Sequence, residues 1–159
     1  MKLIKLTQGK FAKVDDSDFK DLNEYSWSAI RVKNNFYAVT AIKFSGKYKN
    51  VLMHRMILCL TKSKKQCDHH DRNGLNNQKS NLRISTHSQN QRNRNSHRDS
   101  TSRYLGVSLN KTSKKWVATI QSNKKFFYLG SFKLEKEAAI CYNMAAIKHH
   151  KQFANLNKI

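Results

Sequence analysis

Positive charge runs along the whole chain. Lys and Arg number 31 against 10 Asp and Glu, which gives a formal charge of +21 in 159 residues. The excess is +5 in residues 1–50, +7 in 51–100 and +9 in 101–159, so it is not confined to a tail. A folded protein this basic usually binds a polyanion, most commonly nucleic acid. A ribosomal or membrane-surface protein is an alternative, but no basic amphipathic helix favours the membrane surface.

Length and composition exclude several other classes. A chain of 159 residues has room for one ordinary domain or two to three small modules. Its hydrophobic content of 38% argues against disorder. No apolar run is long enough to span a membrane. The apolar stretch within the first eight residues is too short for the hydrophobic core of a secretory signal. The three cysteines do not follow the spacing of a disulfide framework. They are therefore expected to be reduced thiols, which predicts a cytoplasmic location.

Residues 1–53 form a β-rich segment in our prediction. Asp15 and the acidic residues after it favour a short helix through Leu22 and Tyr25. Strands are predicted at 27–32, 36–44 and 48–53, separated by Asn- and Gly-containing turns, and a short helix at 54–60.

Residues 66–94 are rich in Asn, Asp, His and Arg and poor in apolar side chains. The stretch ends in a predicted strand at 82–85, followed by Thr86 and Gln89, whose spacing is that of a capping box at the start of a helix. Residues 95–102 have the composition of a linker.

A separate module is predicted for residues 103–159. Strands at 104–109, 115–121 and 126–132 precede a helix at 135–150. Small side chains recur at helical spacing on one face of that helix, as a helix packed closely on a sheet requires. That face comprises Ala138, Ala139, Tyr142, Ala145, Ala146 and His149. The predicted fold class is α+β.

Asp68, His69 and Asn90 have the chemistry that phosphodiester hydrolysis requires. A histidine has a suitable pKa for deprotonating water. Carboxylate and amide oxygens suit Mg²⁺, which stabilises the charge that develops on phosphate. Adjacent strand residues point to opposite sides, so Asp68 and His69 can both reach one phosphate only from a strand end.

These residues belong to a longer pattern, in residues 54–57, 67–77, 80–83 and 86–93, that resembles the HNH nuclease motif. The likeness is to the form found in phage and intron-borne homing endonucleases. It implies a ββα-metal fold in which His69 is the general base and Asp68 and Asn90 bind Mg²⁺ or Mn²⁺. It also implies that Asn81 fixes the hairpin loop. Position 70 departs from the family, which usually has an aliphatic residue where this chain has His70.

Other polar residues of this region receive different interpretations. We expect His54 to order the junction between helix and hairpin. Arg83, Arg92 and Arg94 are predicted to contact the DNA backbone. Cys67, His69 and His70 superficially resemble a zinc cluster. A structural zinc needs four ligands, usually with a closely spaced cysteine pair, and the remaining Cys59 and Cys141 supply none.

The last segment resembles the Apetala-two/ethylene-response-factor DNA-binding domain in residues 104–107, 115–120, 128–132, 137–143, 145–146 and 154–157. The resemblance implies a three-stranded sheet laid in the major groove and backed by a helix. Strand alternation places Trp116, Ala118 and Ile120 on the helix side, and Val117, Thr119 and Gln121 on the DNA side. The predicted DNA contacts are Ser108, Asn110, Lys111, Lys114, Lys115, Thr119, Gln121, Lys124, Lys125 and Tyr128.

The sequence therefore predicts a monomeric, site-preferring, metal-dependent endonuclease that nicks double-stranded DNA in a bacterial or phage-infected cell. Its parts are a β-rich segment at 1–53, the nuclease motif at 54–94, a linker at 95–102 and the DNA-binding domain at 103–159. A non-catalytic transcriptional regulator and an RNA-binding protein are the alternatives. Asp68, His69 and Asn90 favour the nuclease, because a regulator does not need them.

Overall fold

The computed structural model describes residues 1–61, 63–93 and 100–159, with residue 92 described by its backbone alone. The chain divides into two compact units, Met1–Asn90 and Gln91–Ile159. Both units mix helices with small antiparallel sheets. Among the described residues, no helix has the length and apolar character needed to cross a membrane.

The first unit begins with a two-stranded hairpin, β1 (Lys2–Lys5) and β2 (Phe11–Val14), followed by helix α1 (Asp16–Asn23). Alternation along these strands buries Ile4, Ala12 and Val14 while their lysine neighbours stay exposed. The buried side chains continue into a core that contains Leu22 and Trp27.

A three-stranded antiparallel sheet packs on the same core. Its strands are β3 (Ser28–Val32), β4 (Asn35–Phe44) and β5 (Lys47–Leu52), with β4 in the centre. Helix α2 (Met53–Ile57) follows directly and buries Met53 in the core. The three predicted strands are confirmed to within one or two residues, whereas the helix expected at 54–60 ends earlier.

The polar stretch forms a second strand pair in this unit. Strand β6 (Gln66–His69) pairs antiparallel with β7 (Leu82–Ser85), and a long loop with a short 3₁₀ turn at Lys79–Asn81 connects them. Helix α3 (His87–Arg92) follows. Its predicted capping box is confirmed, since Thr86 N–H donates to Gln89 Oε1 at 2.8 Å and Gln89 N–H donates to Thr86 Oγ1 at 3.3 Å.

In the second unit, helix α4 (Glu135–His150) packs on an antiparallel sheet of β8 (Val107–Asn110), β9 (Lys115–Ser122) and β10 (Lys125–Phe132), with β9 in the centre. The predicted helix bounds are confirmed. Ala118 and Ile120 of β9 are buried against Ala138 and Tyr142 of α4. Gly106 lies under the Tyr142 ring with φ +68°, and a Cβ there would sit 2.1 Å from that ring. Only glycine fits this position.

Candidate functional site

The candidate site is built on the strand pair β6–β7 in the first unit. The register places Asp68 opposite Arg83 and His69 opposite Leu82. His69 is the last residue of β6, so the two side chains leave the strand at its end on opposite sides. Both are buried, with exposures of 4% for Asp68 and 6% for His69.

Arg83 forms an ion pair with Asp68 across the strand pair. Its side chain is 16% exposed. The antiparallel register places Arg83, a predicted DNA-backbone contact, next to the Asp68 carboxylate, where it offsets the cost of burying that charge.

Asn90 approaches the Asp68 side of the strand pair through Gln66. Its Nδ2 donates to Gln66 Oε1 at 3.2 Å. Gln66 lies two residues before Asp68 on β6 and therefore on the same face. Gln66 also contacts His87 of α3, with 3.2 Å between Nε2 and Nδ1. Through Gln66, helix α3 is joined to the strand that carries Asp68.

His69 lies in a different environment, among aromatic rings. Its ring centroid is 4.9 Å from that of His54 and 5.8 Å from that of Tyr37, both in edge-to-face orientation. Tyr37 also contacts His54, at 5.9 Å. The three rings join β4, α2 and β6.

Burial keeps both histidines neutral. It lowers the pKa of His69 below its ordinary value. Burial, followed by unfavourable electrostatic interactions with His69 and Arg55, lowers the pKa of His54 to about 3. A neutral His69 at physiological pH has the protonation state of a general base.

Asn77 orients the His69 ring. It is fully buried, and its Oδ1 lies 3.4 Å from His69 Nε2. An amide oxygen only accepts hydrogen bonds, so a neutral ring that donates to it from Nε2 has its lone pair on Nδ1. Within the part of the chain that the structure describes, Asn77 Nδ2 has no hydrogen-bond partner.

Asn81 holds the loop between β6 and β7. Its Oδ1 accepts from Asp71 N–H at 3.0 Å, and its Nδ2 donates to Asp71 Oδ1 at 2.9 Å and to Asn76 O at 2.8 Å. Asp71 also accepts from Asn73 N–H at 2.8 Å. Partial burial raises the pKa of Asp71, but hydrogen bonds from Asn76, Asn73 and Asn81 hold it below its usual value.

The loop is also docked onto the β-rich segment. Gly74 N–H donates to Asn35 Oδ1 at 3.2 Å, and Asn35 Nδ2 donates to Arg72 O at 2.8 Å. Gly74 touches the sheet so closely that a Cβ would sit 2.4 Å from Phe36 O and 2.6 Å from the Tyr37 ring. On the other side, Asn77 N–H donates to Lys13 O of β2 at 2.8 Å. The segment before residue 54 thus positions the site.

The donors around Asp68 suit a hard divalent cation. Carboxylate and amide oxygens, such as those of Asp68 and Asn90, are ligands that Mg²⁺ prefers, and Mg²⁺ takes few protein ligands because it retains water. Across residues 1–61, 63–93 and 100–159, no three His, Cys, Asp or Glu side chains group as metal ligands.

The remaining predicted residues of this region lie as follows. His70 is exposed. Burial, and then the Asp68 charge, raises the pKa of Cys67 to about 11, so this residue stays a thiol. Arg92 lies in α3, and Arg94 falls outside the described residues.

In the second unit, the predicted DNA-facing residues lie on the sheet face away from α4 or at its turns. Thr119 is half-buried and Gln121 exposed, opposite Tyr128 and Phe126 of β10. Ser108 and all five predicted lysines are exposed. Asn110 has a structural role as well, because its Oδ1 accepts from Thr112 N–H at 3.0 Å and Ser113 N–H at 3.1 Å in the β8–β9 turn.

Four contributors to the site were missed by the sequence analysis: Asn35, Tyr37, Gln66 and Asn77. Each makes its contact with a residue distant in sequence or across a loop. Of these four, only Asn77 lies within the residues that resemble the HNH motif, so only Asn77 could have been identified from the sequence.

Comparisons with known proteins add no relative. No family model matches the chain, and no curated protein is significantly similar to it. The HNH and Apetala-two/ethylene-response-factor resemblances are therefore carried by the motif residues alone.

Proposed function

We propose that this protein is a divalent-metal-dependent endonuclease of homing type that nicks double-stranded DNA. The observation that carries the proposal is the buried Asp68–His69 pair at the end of β6, joined through Gln66 to Asn90 on the following helix. Ionisable side chains are seldom buried without a partner, because burial costs free energy, and here Asp68 is paired with Arg83 while His69 is buried in neutral form.

His69 is the proton acceptor in this proposal. Its neutral ring, which lies against Asn77 through Nε2, takes the proton of a water molecule that attacks the phosphorus. The three-ring contact with Tyr37 and His54 limits rotation of the imidazole.

Asp68 and Asn90 would hold the cation. When bound, a divalent ion supplies positive charge to a non-bridging phosphate oxygen and to the leaving 3′ oxygen. Arg83, paired with Asp68, adds a second positive charge close to the same carboxylate. A single set of ligands acts on one strand, which is why we propose nicking rather than a double-strand break.

The test is cleavage of supercoiled plasmid with Mg²⁺ and with EDTA. We expect open-circular product with Mg²⁺ only, and a loss of roughly 10²- to 10⁴-fold in rate for His69→Ala, the usual cost of removing a general base. DNA affinity should change little, because the chain's +21 charge dominates binding.

His70→Ala is the matched control, since His70 is adjacent and exposed. It should cut at the wild-type rate. A wild-type protein that binds the plasmid but leaves it intact under every divalent ion would favour the non-catalytic regulator instead.

A further inference from the structure

Two aromatic side chains stand exposed on the outer face of the C-terminal sheet. Phe126 is 77% exposed and Tyr128 is 68% exposed. They lie two residues apart on β10 and therefore project to the same side. Phe127, between them, projects to the helix side and stacks on His149 with 4.9 Å between ring centroids.

Polar side chains on the central strand lie beside these rings. The register pairs Phe126 with Gln121 and Tyr128 with Thr119. Cross-strand partners have Cβ atoms about 5 Å apart, so each ring has one polar neighbour at contact distance. The outer face thus presents an amide next to a phenyl ring, and a threonine next to a phenol.

Charge on this unit favours a polyanion as the occupant of the face. Lysines flank it at both hairpin turns, with Lys111, Lys114 and Lys115 at one end and Lys124 and Lys125 at the other. The carboxylates of residues 101–159 are Glu135 and Glu137, both on α4, which packs on the opposite face. Lysines at the ends can contact phosphates while the centre meets base edges.

The residues in the centre match the edges of an A·T pair. A glutamine amide makes paired hydrogen bonds to adenine N6 and N7, and apolar groups such as a phenyl ring contact the thymine methyl. Guanine is read by arginine or lysine. The one arginine in residues 101–159, Arg103, lies before β8 and donates to Tyr104 Oη at 2.9 Å, and the lysines of the face lie at its hairpin ends, away from Gln121 and Tyr128 in its centre.

We propose that this face selects A·T base pairs in the major groove, with Gln121 contacting adenine and Phe126 contacting the thymine methyl. The inference rests on the proposed function only in taking duplex DNA as the partner. Exposed rings can also stack on unpaired bases. The amide beside Phe126 favours edge contact, because stacking would use the ring alone.

The experiment measures binding of the full chain in EDTA to three duplexes of equal length and to one single strand of the same length. One is A·T-rich, one is G·C-rich, and the third is the A·T-rich duplex with uracil replacing thymine, which removes only the methyl group. We expect the A·T-rich duplex to bind most tightly. Each good base contact contributes roughly five- to 100-fold in discrimination between bases. The uracil duplex should therefore bind less tightly than the A·T-rich duplex that contains thymine.

Variants assign the contacts. Phe126→Ala should abolish the difference between thymine and uracil duplexes, and Gln121→Ala should reduce the preference for A·T over G·C. Lys124→Ala is the control for phosphate contact and should weaken binding to all three duplexes equally. Both Phe126 and Gln121 are exposed, so their replacement leaves the core intact. Phe126→Leu, which keeps an apolar group, should retain part of the difference in affinity between the thymine and uracil duplexes.

Equal affinity for thymine and uracil duplexes would overturn the inference, as would tighter binding of a single strand than of any duplex. Neither result affects the nicking assay, so the proposed nuclease would stand. A protein that neither binds nor nicks duplex DNA would instead refute the proposed function itself.

Discussion

At the scale of single residues, the site contains two imidazoles that are uncharged in the resting protein. Their rings meet at a centroid distance of 4.9 Å, and each is less than 8% exposed. Placing a proton on either one would bury a charge beside the other ring, without the solvation that it has in water.

Stability should therefore fall with acidification. The pKa of His54 is about 3 in the fold against an ordinary value of 6.5. Between these values the unfolded chain binds the proton and the folded chain does not, so the free energy of unfolding rises with pH across this window. The full effect is present above pH 6.5 and is lost progressively toward pH 3, by at most about 1.4 kcal/mol per pH unit.

The measurement is urea unfolding between pH 7 and 4 for the wild type and for His54→Phe, which keeps a ring but cannot be protonated. The variant should show the shallower decline. Parallel curves for the two proteins would show that His54 does not cause the acid sensitivity.

At the scale of elements, the loop of residues 70–81 is held in place by hydrogen bonds to two strands of the β-rich segment. Asn81 and Asp71 close it internally, while Asn35 and Lys13 hold it from two different strands. Its position determines where Asn77 meets His69. Displacing the loop should therefore affect chemistry as well as stability.

Gly74→Ala tests this dependence. The added methyl would collide with Phe36 O and the Tyr37 ring, and both are held by the sheet. We expect a loss of roughly 1–3 kcal/mol in unfolding free energy, as for other overpacked sites. We also expect slower plasmid nicking at a protein concentration that saturates the DNA. Ser80→Ala in the same loop is the control, because Ser80 is exposed, and it should match the wild type in both assays.

Normal nicking by a destabilised Gly74→Ala protein would show that the loop contributes only to folding. Slower nicking without any change in stability would place the effect at His69 itself.

At the scale of the whole molecule, each unit has its own hydrophobic core. The core around Val14, Trp27 and Met53 lies entirely before residue 91, and those around Tyr104 and Ile120 lie entirely after residue 100. Asp68, His69 and Asn90 all belong to the first unit.

A chain truncated after residue 102 should therefore fold and still nick DNA. It loses 11 Lys or Arg and 2 Asp or Glu, so we expect affinity at 0.15 M salt to fall by roughly tenfold or more, with a shallower salt dependence. Circular dichroism, binding at several salt concentrations and plasmid nicking test this together. A folded truncation that cannot nick would show that residues 103–159 are needed to complete the active site.

Much of the secondary structure followed from local sequence. Alternation along β9 predicted which side chains face the helix, and small residues at helical spacing predicted the packed face of α4. The capping box of α3 was also evident, because Thr86 and Gln89 interact within one turn. These features depend on neighbours a few residues apart, so the sequence alone specifies them.

What only the tertiary structure decided was the surroundings of each predicted site residue. The sequence placed Asp68, His69 and Asn90 in one motif, but it did not pair Asp68 with Arg83, or His69 with Tyr37 and Asn77. The strands β1 and β2 were not predicted either, because they are recognised by their pairing with each other and by the core that they cover. Local periodicity reports which way a side chain points relative to its own strand or helix, whereas burial, pKa and partner depend on residues brought together only when the chain folds.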